Sequence, residues 1–106
     1  MAEIVVLVTT TSEEEAIRIG RSLVEARLAA CSNILSGVRS IFRWEGHVAE
    51  EREALLLLKS STELFEELAA MIKALHSYKV PEIIALSIVQ GSPDYLSWIR
   101  DETRKS

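Results

Sequence analysis

Residues 32 to 59 read SNILSGVRSIFRWEGHVAEEREALLLLK, two runs rich in Ile, Leu, Val, Phe and Trp that meet at Glu45-Gly46. Two extended runs joined by a two-residue link ending in glycine form an antiparallel hairpin. We place the strands at about Ser32–Trp44 and Val48–Lys59, with Ser36-Gly37 as a bulge or a break in the first. Two successive strands flanked by helices distinguish a split βαβ arrangement from simple alternation of strand and helix.

On the N-terminal side of the hairpin, Ser12-Glu13-Glu14-Glu15 carries a capping-box pattern, with Ser12 placed to accept an orphan amide and the carboxylates complementing the helix dipole. The spacing of Ala16, Ile19, Leu23 and of Ile17, Val24, Leu28 predicts an amphipathic helix to about Leu28. Before it, Ile4–Val8 followed by three threonines reads as a strand buried on both faces. On the C-terminal side, Ser60-Ser61-Thr62-Glu63 is expected to cap a second helix that buries Leu64, Phe65, Leu68, Ile72 and Leu75 and stops near His76. Pro81 disfavours helix at Val80, so the chain leaves extended into a strand over Glu82–Val89. Ser92 as cap and Pro93 at the first position then open a last helix.

The resulting order is βαββαβ plus a helix: an α+β, ferredoxin-like sandwich with a long central hairpin, one domain over residues 1–106. That fold lays two helices on one face of a four-stranded sheet and leaves the other bare. A bare face should alternate apolar with polar residues, and these strands do not. Val5 and Leu7 oppose Ile4, Val6 and Val8; Leu55 and Leu57 oppose Leu56 and Leu58; Ile84, Leu86 and Ile88 oppose Ile83, Ala85 and Val89. At least six large aliphatic side chains therefore stay on the uncovered side. Their exposure forgoes about 10 to 18 kcal/mol, comparable to the net stability of a whole domain. Hairpin strands of about 12 residues reach roughly 40 Å, so the tip should project beyond its own core. Both features predict a closed homo-oligomer whose copies cover each other.

The bulk numbers exclude several classes. Twelve basic residues against sixteen acidic ones leave a net charge of −4, with no cationic cluster suited to a row of phosphates, so nucleic acid is not an expected partner. The longest apolar runs, Ile4–Val8 and Ala54–Leu58 among them, are five residues each, too short for a membrane span or a signal-peptide core. One cysteine, Cys31, rules out an internal disulfide framework and fits a reducing cytoplasm. Three glutamates at the start of the first helix repel the anion that acyl-phosphate chemistry on this fold would cradle there. The central strands carry Leu, Ile and Val instead of the stacking aromatics of the RNA-binding version.

No standard catalytic motif occurs, and the expectation is a non-enzyme. Cys31 reads either as a small buried hydrophobe or as a soft thiolate ligand for copper or zinc. His76 is placed either to cap a helix C-terminus or to bind a ligand. His47, beside Gly46 at the hairpin tip, reads as a solvated loop residue. Trp44, Glu45, Tyr78 and Glu82 combine aromatics with carboxylates, as interfaces and pockets do.

Four separated blocks carry a more specific signal: RLAACSNI at 27–34, SIFRWEGHV at 40–48, HSYKVPEIIAL at 76–86 and DYLSWI at 94–99. Through them the chain resembles the CutA family, named for divalent-cation tolerance, along nearly its whole length. The resemblance implies a cytoplasmic homotrimer of ferredoxin-like subunits, an association with copper and other divalent ions, and an architecture similar to the trimeric PII signalling proteins. It further implies Cys31, His76 and Glu82 as metal ligands, and Trp44, Glu45, Tyr78 and Pro81 as pocket or interface positions. The family's usual H-P-Y-E-V-P-E stands here as His76-Ser77-Tyr78-Lys79-Val80-Pro81-Glu82. Lys79 puts a cation where the family has a carboxylate, which weakens the attraction for a metal ion. His47, where lysine is common, adds a donor.

Overall fold

The computed structural model describes residues 2–105. The chain forms β1 (Glu3–Thr10), α1 (Glu13–Glu25), β2 (Cys31–Trp44), β3 (His47–Ser61), a short 3-10 turn (Thr62–Leu64), α2 (Phe65–Leu75), β4 (Ile84–Ser87) and α3 (Pro93–Glu102). The sheet order is β2-β3-β1-β4 and every neighbouring pair is antiparallel. This is the expected ferredoxin-like arrangement with an added helix.

Periodicity located most of the core, but Ile17 and Val24, read with the apolar positions of α1, are 39% and 38% exposed because they flank the stripe that meets the sheet. Ile4, Val6 and Val8 of β1 and Leu56 and Leu58 of β3 pack against Ala16, Ile19 and Leu23 of α1 and against Leu68 and Ile72 of α2. Ser12 caps α1 as expected, its Oγ accepting the Glu15 amide at 3.1 Å.

Four boundaries differ from expectation. α1 stops at Glu25, not Leu28, because Arg27 turns into the left-handed region with φ 62° and the amides of Leu28 and Ala29 return to the Leu23 carbonyl. The Ser60–Glu63 segment does not cap α2. Instead β3 runs on through Ser61, and the Ser60 hydroxyl donates to the Leu28 carbonyl at 2.6 Å. The Ser92 side chain makes no capping bond, although its carbonyl accepts the Leu96 amide and Pro93 opens the helix. β4 is only Ile84–Ser87, shorter than the expected Glu82–Val89, and Val89 is 89% exposed.

Register assigns the open face. Pairs Val5↔Lys59↔Cys31, Leu7↔Leu57↔Asn33 and Thr9↔Leu55↔Leu35 share one side of the sheet, joined by Leu86 opposite Val5 and Ile84 opposite Leu7. Val5, Leu7, Leu55 and Leu57 are half-buried, whereas Leu35, Ile84 and Leu86 are exposed, Ile84 at 48% and Leu86 at 52%. α3 shelters one end, where Arg100 pairs with Glu3 at 3.2 Å, Tyr95 meets the Cys31 thiol and Ile99 is fully buried.

The Ser36-Gly37 segment is a bulge: Leu35 pairs with Leu55 and Val38 with Glu53, which leaves an extra residue on β2. Beyond it the hairpin continues as an arm, Val38–Trp44 against His47–Glu53. Its turn places Glu45 and Gly46 at φ 50° and 85°, the positive pair that a two-residue type I′ link requires. The arm stretches the molecule to 43 Å and its radius of gyration to 14.2 Å, where a compact chain of this length has about 13 Å.

Candidate functional site

β4 pairs with β1 only as far as Leu7↔Ile84, so β1 at Thr9, paired with Leu55 of β3 on one side, has no strand on its other side. The segment after α2 fills that gap. His76, whose side chain is fully buried, aligns Nε2 with the Thr9 carbonyl at 2.8 Å while Nδ1 accepts the Tyr78 amide at 3.0 Å. These two bonds fit the neutral imidazole with its hydrogen on Nε2.

Glu15 lies under the same segment. Its Oε1 accepts the Thr11 amide at 3.0 Å and the Thr11 hydroxyl at 2.9 Å, and its Oε2 accepts the Ser77 amide at 2.7 Å. Burial pushes the Glu15 carboxyl up, but the hydrogen bonds from Thr11 and Ser77 outweigh it and hold the group at about 2. Further along, the Tyr78 hydroxyl donates to Glu53 Oε2 at 2.6 Å. Burial first, and then the carboxylates of Glu53, Glu51 and Glu15, push the Tyr78 phenol above its ordinary range. Tyr78 is therefore a fixed donor to a buried carboxylate.

This pinned segment and the arm enclose a cleft of about 900 Å³. Pairs Ser40↔Glu51, Phe42↔Ala49 and Trp44↔His47 present one face of the arm to it, while Tyr78, Lys79, Val80 and Glu82 form the facing wall and Thr9 and Thr11 the floor. Of the positions singled out from the sequence, Trp44, Tyr78 and Glu82 meet here, as does His47. Glu45 sits in the turn at the tip and Pro81 is half-buried behind the wall; neither lines the cleft.

Cys31 lies elsewhere. It is half-buried, not enclosed as the hydrophobe reading expects, with Sγ 3.5 Å from Asn33 Oδ1, which also accepts from Lys59 Nζ. The Tyr95 phenol is raised by its burial and by the adjacent Cys31 sulfur. Cys31 aligns with Val5 across Lys59, and His76 docks on Thr9, four residues further along β1. That separation is roughly 13 Å at 3.3 Å per residue. Glu82 is exposed at the cleft wall. Among the described residues, no three His, Cys, Asp or Glu side chains converge in a way that would hold a metal ion. Within the chain the implied ligands Cys31, His76 and Glu82 do not form a common site.

Glu15 and Glu53 are the residues that the sequence reading missed. Glu15 is indistinguishable from the helix-start carboxylates beside it. Glu53 carried a signal, because it continues the alternation of Leu57 and Leu55 onto the open face, where a carboxylate needs a partner.

A ferredoxin-like chain with an extended hairpin arm, a cleft at the root of that arm and a half-covered apolar sheet defines a compact class of small α+β proteins. The model of the CutA1 divalent ion tolerance protein family matches residues 4–102, and the chain belongs to that family. It is 54% identical over 101 residues to the divalent-cation tolerance protein CutA of Thermus thermophilus, covering 95% of this chain and 98% of that protein. It is 44% identical to the chloroplastic CutA of Arabidopsis thaliana, of whose length it spans 56%. Among solved structures, CutA1 from Oryza sativa superposes with a TM-score of 0.97 at 42% identity, covering 100% of this chain and 97% of the other. The periplasmic divalent cation tolerance protein CutA of Archaeoglobus fulgidus gives 0.91 at 38% identity, covering 94% and 97%. Among the described residues, no helix is long and apolar enough to cross a membrane.

Proposed function

We propose that the protein is a non-catalytic homotrimer of the cytoplasm that associates with divalent metal ions, copper or zinc, at sites completed by assembly. The single observation that carries the reading is the half-exposed aliphatic face of Val5, Leu7, Leu55, Leu57, Ile84 and Leu86. A second copy supplies the cover that this subunit lacks. The family is named for divalent-cation tolerance, not for a reaction. The family resemblance supports three-fold closure, and a single cysteine is compatible with a reducing cytoplasm.

Cys31 is the donor best suited to a soft metal, being half-buried on the open face where copies meet. His76 joins it only by giving up its bond to the Thr9 carbonyl or to the Tyr78 amide, and Glu82 must come from another copy. Titration calorimetry with copper and zinc on the wild type and on a Cys31→Ser, His76→Ala variant tests the metal part. The variant is expected to lose the binding heat; identical isotherms remove metal from the account.

The cleft favours a second reading, a PII-like signalling protein that binds a small effector beside the arm. A volume of about 900 Å³ is in the range of small-molecule sites. A thermal-shift screen of nucleotides and metabolites tests it, because a ligand that binds only the folded state raises the melting temperature.

A further inference from the structure

We infer that residues 103–105 are a strap that fastens α3 to the helix side of the sheet, and that α3 opens with this strap as a lid while the sheet stays folded. Every bond that makes the strap lies within one chain, so it does not depend on a bare open face. It is also independent of metal or effector binding.

α3 rests on the open face through few apolar contacts. Ile99 is its one fully buried side chain, Leu96 is half-buried, and Tyr95 and Trp98 are exposed. The approach to the helix is loose as well. Val89, Gln90, Gly91 and Ser92 are exposed, and the Ser92 side chain makes no capping bond. Just before them, the Ile88 amide makes the last backbone tie to β1, on the Glu3 carbonyl at 3.2 Å. Sparse apolar contact and an exposed approach mark an element that opens by itself.

The far end is fastened instead. α1 closes in a Schellman turn: the Leu28 amide returns to the Leu23 carbonyl and the Arg27 amide to that of Val24, with Arg27 left-handed. Glycine is the usual residue there, because a Cβ is strained. The arginine puts its side chain to use. Its Nη2 donates at 2.9 Å to the Asp101 carbonyl, one of the four at the end of α3 with no partner inside the helix. In return the Arg104 amide donates to the Arg27 carbonyl at 2.9 Å, and the Arg104 guanidinium pairs with Glu67 on α2. Between them Thr103 is buried, its hydroxyl donating to the Ile99 carbonyl at 2.9 Å. The chain thus passes from the open face, where Arg100 meets Glu3, around the sheet to α1 and α2. The clasp couples the outer helix layer to a lid on the opposite face.

Hydrogen exchange on the intact protein tests the strap. Arg104→Pro removes the amide that closes the clasp, and Thr103, extended at ψ 151°, accepts a following proline. Arg27→Gly removes the guanidinium and keeps the left-handed turn. Each is expected to speed exchange of the amides of residues 98–101 about fivefold, the loss of one hydrogen bond, with the Val6 and Leu56 amides unchanged. Arg104→Ala loses only the exposed ion pair with Glu67 and should speed it about twofold at most. Unchanged exchange in α3 with Arg104→Pro and Arg27→Gly, as follows if a neighbouring copy holds the helix, overturns the strap. Equal acceleration in α3 and in the sheet overturns the lid, because α3 then unfolds only with the core. An Arg104→Ala effect as large as that of Arg104→Pro overturns the backbone clasp.

Discussion

Glu15 is the third residue of α1, where a carboxylate ordinarily reaches back to the amide of the capping residue. Here it reaches further, to Thr11 on one side and to Ser77 on the other, and so ties the start of the first helix to the segment that follows the second. Spacing alone could not show this, since three glutamates in succession are equivalent until the fold decides which one points inward. His76 was equally ambiguous: its position after a helix was legible, but its burial and its bond to Thr9 arise from where β4 stops pairing. The Glu15 carboxyl titrates near 2 in the folded protein against 4.5 when unperturbed, so its stabilisation is complete above pH 4.5 and is lost as pH falls towards 2. That shift corresponds to about 3 kcal/mol. Glu15→Gln should therefore lower stability at pH 7 and flatten the loss between pH 4.5 and 2 relative to the wild type. Urea unfolding at a series of pH values measures it. Parallel pH profiles for the two proteins would assign the acid sensitivity to other carboxylates.

At the scale of elements, the hairpin was the most legible part of the chain, and the ends of its neighbours the least. Glu45-Gly46 fixed the turn, and the turn fixed the register of Trp44 on His47. The length of β3 was underestimated because Ser60 and Ser61 have the chemistry of helix caps. Only the tertiary position of the Leu28 carbonyl shows that Ser60 is used to close the end of the strand. β4 was overestimated for the opposite reason, since an apolar run continues past the residues that have a partner. The arm has no helix against it, so its stability depends on the turn and on its own ladder. Gly46 adopts φ 85°, where a Cβ is strained. Gly46→Ala should cost about 1 kcal/mol, felt within the arm. Hydrogen exchange at the Phe42, Trp44 and Ala49 amides should accelerate about fivefold, with those of Leu56 and Leu58 unchanged. Uniform acceleration across the sheet would mean that the arm and core unfold as one unit.

For the whole molecule, the decisive signal was negative: strands of a half-covered sheet that fail to alternate. The structure bears this out at Ile84 and Leu86, which stay half exposed although α3 shelters the far end of the same face. Composition could reveal that surplus, yet nothing in one chain counts the copies that absorb it; the number three comes from resemblance. Ile84→Arg separates a lone subunit from an assembly. On a free surface a substitution of this kind changes stability by less than about 0.5 kcal/mol, because the guanidinium stays hydrated and Leu7 opposite remains half-buried. Between copies the same arginine removes buried apolar area and brings like charges together around the symmetry axis, costing several kcal/mol per interface. Sedimentation at micromolar concentration is therefore expected to give the wild type a three-chain mass and a melting temperature that rises with concentration. Ile84→Arg should give a single-chain mass and a melting temperature that does not. If the wild type itself sediments as one folded chain, or the variant keeps both properties, the apolar face is tolerated in water and the trimer is lost from the account.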